Sequence, residues 1–581
     1  MKPHFIMKSS ETYLWVIFCL LSILFTLSLF KNISYPLFWA DESMTVMGGV
    51  RVLEYGYPKV HNGKNVLYDL KHPNLTLGID EKTDAYIGGA NWGHYYIAAV
   101  GVKLAELTDD IFARTAIIRA IFALIGLAGL AIFAFIASQF FGSRASKVGF
   151  LILFTFLELV SVPLVLHLRE ARYYSLSVFM VALTVLVYTQ YRILHKTKYA
   201  GFLALLTVSL FLLFVTFSPA YLILIAAIFL FESLTLTKRL FFQRRGMRRE
   251  AMSGSFTPEE FFKDYLKGIA PLVLSLIAVS PLMVFFKVFH IAKEMAKFNA
   301  LQFHMDSVTL YLNNLSMLWS FFASFDYIYL AIFLKLVFLV LFALRLLGKS
   351  LSTFDIHKMS FSNFLTILFI VYFVAIAKIP NDPYIRYFIP LLPVLAMIII
   401  VDATMIYDFI SQRRAAAAVY CKGLLIFIFM GFVLYNISTN VENIRGHVYE
   451  LTHQYKGPLD HVIPFIKEKY ATPEKLVIAT NYEETSFMYY LDAKVTYGYV
   501  RNNLAQDQLI VPDIIIFREG WDEGPELFVF YLNSFPYARI KFPVINSPVN
   551  NIPELNCPLK HRFRTEEPVD ERAKLDIYLR M

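Results

Sequence analysis

Charge is scarce in this chain of 581 residues: only 17% are Asp, Glu, Lys or Arg. Soluble domains carry about a quarter, so a cytosolic globular enzyme is excluded as a reading of the whole chain. Cysteine is scarcer still. Cys19 and Cys421 lie in or beside apolar segments and Cys557 stands alone, which leaves no disulfide framework and no cysteine metal site. A phosphate-binding glycine loop is missing from the C-terminal part, and the histidines form no HxxxH pair. Apolar residues are what the chain has in excess: 57% are hydrophobic, 16% aromatic, and the mean hydropathy is +0.54.

Runs near the roughly 20 residues that cross a bilayer predict eleven spans, near 13–30, 115–138, 148–166, 174–191, 200–216, 219–236, 267–287, 327–345, 361–378, 388–404 and 423–438. The first lacks a small-residue cleavage site and is read as a retained span. After about residue 439 the composition becomes that of a soluble domain. The expected fold is a polytopic α-helical membrane protein, 1–440, followed by a soluble α/β domain, 457–581. In that tail LVIAT (476–480), KVTYG (494–498) and PDIIIF (512–517) read as strands, with helices over DHVIPFIKEKY and EETSFMYYL, so a small, mostly parallel sheet is expected.

The net charge is +9, yet residues 440–581 hold 16 Lys/Arg against 20 Asp/Glu, which leaves +13 on 1–439. The basic residues sit between spans, which sets nucleic-acid binding aside. Alternate loops are basic, and 237–250 alone carries six Lys/Arg against Glu250. The positive-inside rule makes these loops cytoplasmic, with the N-terminus inside and the C-terminal domain outside. The segment 94–107 is too short for a span and carries Lys103 and Glu106, so it reads as an interfacial helix. Three outer segments remain: 31–114, the short turn 167–173, and 288–326.

The chemistry-bearing residues cluster on that outer side. Asp41 and Glu42 follow the first span directly, framed by Phe38 and Trp39, either as a desolvated functional pair or as an interfacial turn facing water. Glu170, Arg172 and Tyr173 lie where the third span turns into the fourth. Arg172 there awaits an anionic partner: a lipid headgroup, Glu170 or Asp41. Arg386 and Arg119 occupy the outer ends of the tenth and second spans, and several guanidiniums at one depth suit a phosphate. Glu158 and Lys335 fall inside spans, as a pair or as the lining of a polar cavity. His72, His94, His290 and His304 lie in outer segments without metal-ligand spacing, so a divalent metal is not indicated. Lys293 and Lys297 join His290 and His304 as a candidate lid.

These features together resemble the GT-C superfamily of integral-membrane glycosyltransferases, in the branch of the lipid A aminoarabinose transferases and the dolichyl-phosphate-mannose–protein mannosyltransferases. ADES at 40–43 matches the family's Asp-Glu motif. HPN at 72–74 and GHYY at 93–96 resemble its His-Pro-Pro-Leu-Tyr-Tyr segment, EARYYSL at 170–176 its Glu-Ala-Arg-x-Tyr-Ser-Leu signature, and RYFIPLLP at 386–393 its Arg-Tyr…Pro motif. The order agrees over roughly 1–400. The His-Pro element stands about 20 residues from the aromatic helix, so His72 and His94 cannot both take family roles, and no Trp-Trp-Asp motif is present.

The resemblance implies an inverting transfer of a sugar from a polyprenyl-phosphate donor to an acceptor hydroxyl on a lipid, polysaccharide or protein, without a required cofactor. Asp41 would be the base and Glu42 would orient it or bind sugar hydroxyls. Arg172, Arg386 and Arg119 would hold the phosphate, with Glu170, Tyr173, His72, His94 and the 288–326 residues around donor or acceptor. The look of the tail favours a bacterial plasma (inner) membrane, where such an enzyme would serve the cell envelope. The alternative is a transporter or lipid flippase with an extracytoplasmic domain. Reporter fusions at Arg245 and Glu484 are expected on opposite sides of the membrane. Finding both on one side overturns the orientation.

Overall fold

A computed structural model describes residues 3–67, 70–72, 75–88, 92–244, 257–303, 306–325, 327–346, 355–378, 384–412, 415–454, 456–496, 510–518, 525–546 and 573–581. After α1 (Pro3–Phe30) come α2 (Ala40–Tyr55), two small hairpins, β1 (Leu70–His72) with β2 (Leu75–Leu77) and β3 (Ile79–Asp80) with β4 (Ala85–Tyr86), and α3 (Trp92–Ala105). The bundle continues through α4 (Ile111–Ser138), α5 (Arg144–Val160), α6 (Val162–Leu168), α7 (Tyr173–Tyr188), α8 (Tyr199–Thr216), α9 (Ser218–Arg244) and α10 (Pro258–Phe285). It ends with α11 (Val288–Phe303), α12 (Ser307–Phe325), α13 (Ile328–Leu346), α14 (Ile356–Ile376), α15 (Leu392–Ser411) and α16 (Ala415–Thr439).

Among the described residues, nine helices are long and apolar enough to cross a membrane, or up to eleven if each of two bent pairs is one span. The chain therefore has the architecture of a multi-pass helical membrane protein. The third expected span is one of the bent pairs: α5 and α6 meet at 80° across Ser161. Pro163 in the first turn of α6 donates no backbone hydrogen bond, which suits a new helix start rather than a continued one. The span that includes α15 is 89% buried, against 11% for α1, so α15 lies at the centre of the bundle and α1 at its edge.

Two expectations are corrected here. The outer segment 288–326 is not a loop but α11 and α12. Asp306 starts α12 by accepting the backbone N–H groups of Val308 and Thr309, a capping signal that length alone did not reveal. Lys335 pairs with Asp402 rather than with Glu158. Its Nζ lies 2.7 Å from Asp402 Oδ2 on α15 and donates to Ser362 on α14, so an intramembrane cation is matched by acceptors on two neighbouring helices.

After α17 (Val441–Thr452), the tail contains α18 (Pro458–Lys469), β5 (Val477–Thr480), α19 (Glu484–Leu491), β6 (Lys494–Thr496), β7 (Ile514–Ile516), α20 (Pro525–Ser534), β8 (Tyr537–Ile545) and β9 (Lys574–Arg580). The sheet order is β6-β5-β7-β9-β8. The three strands read from the sequence are its parallel part. The antiparallel pair β8 and β9 completes it, so the sheet is mixed rather than mostly parallel.

The hairpin of α2 and α3 depends on backbone proximity. A Cβ placed on Gly49 would lie 2.7 Å from Ala99 N and 2.8 Å from Ala98 C, with main-chain atoms that have no rotamer to turn away. Gly49→Ala is expected to cost about 1–3 kcal/mol through forced helix separation, read as a lower melting temperature in detergent. An unchanged melting temperature would reject the close approach.

Candidate functional site

Successive residues of a helix point about 100° apart, so the two acids in the first turn of α2 face different surroundings. Glu42 turns inward and is 1% exposed. Its Oε1 lies 2.8 Å from Arg119 Nε and its Oε2 2.5 Å from Arg119 Nη2, a bidentate pair. Arg119 Nη1 also donates to the carbonyls of Ile33 and Pro36, and Glu42 accepts the backbone N–H of Ala171 at 2.9 Å. The structure thus gives Glu42 and Arg119 to each other. Arg119, at 5% exposed, binds protein rather than facing the opening where Asp41 lies.

Asp41 is the accessible acid, with a quarter of its side chain exposed (26%). Two guanidiniums converge on its Oδ2: Arg172 Nη2 at 3.1 Å and Arg386 Nη1 at 3.1 Å. Arg172 caps the N-terminal end of α7 in extended backbone, and its Nη1 also donates to Asp41 O and Thr45 Oγ1. Burial, the largest single influence, opposes the Arg172 charge, but Asp41 together with Tyr174, Tyr173 and Tyr95 outweighs it, and the pKa is raised above the usual arginine value. Arg386 sits in the 3-10 turn Ile385–Leu391 that precedes α15, with its guanidinium 4.1 Å from the Tyr384 ring centroid and 5.9 Å from those of Trp39 and Tyr387.

Donors at this place outrun their acceptors. Among the described residues, Arg172 Nε and Trp39 Nε1 are buried with no hydrogen-bond partner. Trp39 is 6% exposed. A buried N–H without an acceptor costs on the order of 1–3 kcal/mol, and a group bringing oxygens would relieve it.

The tail borders the same cluster. Tyr482, just past β5, packs against Trp39. Ser43 Oγ lies 2.6 Å from Thr485 Oγ1, Ser486 Oγ donates to Phe38 O, the Phe38 N–H reaches Tyr490 Oη at 3.1 Å, and the Leu37 N–H reaches Asp460 Oδ1 at 2.8 Å. Burial pushes the Tyr86 hydroxyl up to about 12, and those of Tyr95 and Tyr482 well above the usual value. The Asp41 charge acts in the same direction on all three, so they stay protonated hydroxyls at neutral pH.

The remaining candidates are placed as follows. Tyr173 stacks on Phe217 at 4.9 Å beneath Arg172, and His94 lies 5.9 Å from the Tyr173 ring, buried in α3 beside Tyr95. Glu170 is buried against His167, 3.2 Å away, on the inner side of the turn. His290 and Lys293 are exposed on α11, and Lys297 pairs with Glu294 on the same helix. Among the described residues, none of those three meets Asp41, Arg172 or Arg386. His72 contributes backbone to β1, and His304 lies outside the described residues. Among the described residues, no three His, Cys, Asp or Glu side chains gather as a metal site. Sequence reading missed Tyr384, Thr45, Tyr86 and Tyr482. A residue 441 positions from Asp41, as Tyr482 is, leaves no local signal of its approach.

Compared with protein-family models and with curated proteins, the chain matches none.

The two acids should separate in their effects. Glu42→Gln or Arg119→Ala leaves a buried charge without its partner and is expected to cost about 3–5 kcal/mol, seen as poor recovery or a large fall in melting temperature. Asp41→Asn, in a partly open position, should keep the fold. Equal losses for Glu42→Gln and Asp41→Asn would overturn the division of roles.

Proposed function

We propose that this chain is an integral-membrane glycosyltransferase that moves a sugar from a polyprenyl-phosphate donor to an acceptor hydroxyl at the outer face of the membrane, with inversion. The observation that carries the reading is the convergence of Arg172 and Arg386 on one oxygen of the accessible Asp41. Planar guanidiniums pair with phosphate as they do with carboxylate, and the unfilled N–H groups of Arg172 and Trp39 ask for further oxygens. Three of the four motif segments quoted above contribute to this cluster or line it: ADES, EARYYSL and RYFIPLLP.

In this mechanism the donor's phosphate lies between Arg172 and Arg386. Asp41 takes the proton of the acceptor hydroxyl as its oxygen attacks the anomeric carbon, and the bond from that carbon to the phosphate oxygen breaks. The phosphate gains negative charge as it leaves, and fixed guanidiniums stabilise that charge where it develops. One base and several cations suffice, because the leaving group needs no proton. The lipid, polysaccharide or protein acceptor would approach Asp41 from its exposed side, which the tail borders through Tyr482 packed on Trp39. The orientation that places this cluster outside rests on the basic loops, and the bacterial plasma membrane rests on the character of the tail.

A transporter or flippase is the second reading, favoured by the 80° break between α5 and α6 and by the intramembrane Lys335–Asp402 pair. Purified protein in vesicles separates the two, since a transporter moves lipid without any acceptor.

For the transferase, Asp41→Asn should lower turnover by about 10²–10⁴-fold, the contribution of a positioned base, in folded protein. Arg172→Ala and Arg386→Ala should weaken donor binding as well as turnover, and Lys at either position should restore only part of it. Near-full activity of a well-folded Asp41→Asn protein, assayed with a lipid-linked sugar, removes Asp41 from the mechanism.

A further inference from the structure

The Asp41 carboxylate occupies the place between Arg172 and Arg386 that the proposed function gives to the phosphate. Both guanidiniums address the same oxygen, Oδ2, at 3.1 Å. Arg172 cannot withdraw freely, because its Nη1 is also tied to Asp41 O and Thr45 Oγ1, and its backbone caps α7 beside the Ala171 N–H that Glu42 holds. Arg386 is set among Trp39, Tyr384 and Tyr387 at the head of the most buried of the candidate spans among the described residues. The Asp41 side chain is the more exposed partner, at 26% against 15% for Arg172 and 16% for Arg386. When an anion arrives, the carboxylate is therefore the group able to move.

We propose that Asp41 is a resident anion that exchanges with the donor's phosphate: the phosphate takes the two guanidiniums, and the displaced carboxylate becomes available to the acceptor hydroxyl. This rests on the transferase reading and adds an order of events to it. Without donor, Asp41 Oδ2 is held by the two arginines. With donor bound, the same group is released beside the anomeric carbon.

The charges close over the cycle. A phosphodiester of one negative charge replaces the carboxylate on the guanidiniums. Transfer moves the acceptor proton to Asp41, which becomes neutral, while the cleaved phosphate becomes a monoester and gains one negative charge. A protonated Asp41 no longer competes for the arginines. After losing its proton to water, it returns to them and expels the polyprenyl phosphate.

Exchange makes a prediction that a plain binding site does not. Removing the charge of Asp41 should tighten phosphate binding, because the competitor for the guanidiniums is gone. The full-length protein in detergent would be titrated by calorimetry with inorganic phosphate and with farnesyl phosphate, whose comparison separates headgroup recognition from a requirement for the lipid. Asp41→Asn is expected to bind farnesyl phosphate roughly tenfold tighter than wild type, and Arg172→Ala to lose most binding. A second measurement needs no variant: farnesyl phosphate should speed carboxylate-directed labelling of Asp41 in wild-type protein, read by mass spectrometry. Equal affinity of wild type and Asp41→Asn with loss in Arg172→Ala overturns the exchange and leaves the phosphate site standing. Protection of Asp41 from labelling also overturns the exchange. Binding unaffected by Arg172→Ala removes the phosphate reading itself.

Discussion

The Glu42–Arg119 ion pair is the joint on which the outer end of the bundle is built. Its two side chains are almost sealed from solvent, and every nitrogen of the guanidinium is committed. Through them α4 holds the carbonyls of residues 33 and 36 and the first turn of α2, while Glu42 also takes the N–H of Ala171. Four chain segments are thereby fixed at one point. Asp41 and Arg172 each stand one residue from an atom in this joint, so their meeting follows from it. A buried pair such as this contributes little net stability against an apolar replacement, but its geometry specifies one arrangement of the four segments.

Other charges inside the molecule are handled in the same manner. Arg192, in the π-turn that extends α7, meets Glu232 at 2.6 Å and Asp264 at 2.8 Å, and Arg239 shares Asp264. Lys335 meets Asp402, and in the tail Arg518 meets Glu483. In each case a cation and an acid from separate elements close on each other. Two arginines also share Asp264 Oδ2, so the Asp41 cluster differs from these in one respect: among the described residues, Arg172 Nε and Trp39 Nε1 beside it are buried with no acceptor. Those open donors are the part of the cluster on which the proposed function rests.

Much of this was legible in the sequence where the signal was local. Apolar runs marked the spans, and β-branched runs marked β5, β6 and β7. Asp41, Arg172 and Arg386 stood out because each is charged at an outer end of an apolar run. What stayed hidden was pairing. Glu42 and Arg119 carry the same local signs as Asp41 and Arg172, and only the helix phase of α2 and the position of α4 sort the inward pair from the outward one. The strands β8 and β9 lie far from the parallel strands in sequence and alternate in burial, so neither resembles the continuous apolar runs of the tail's centre.

The docking of the tail on residues 37–43 also has a bearing on how the protein is made. The segment that carries Asp41 leaves the ribosome among the first parts of the chain, yet it is bound by Arg119, then by the 170–172 turn, and last by Asp460, Thr485, Ser486 and Tyr490. Through most of synthesis the backbone groups of Leu37 and Phe38 lack the partners that the tail supplies. The cluster around Asp41 is therefore assembled in reverse, its earliest residues waiting for its latest. A ribosome that stops short of the tail releases a chain whose bundle is nearly complete and whose Asp41 cluster has not yet been closed.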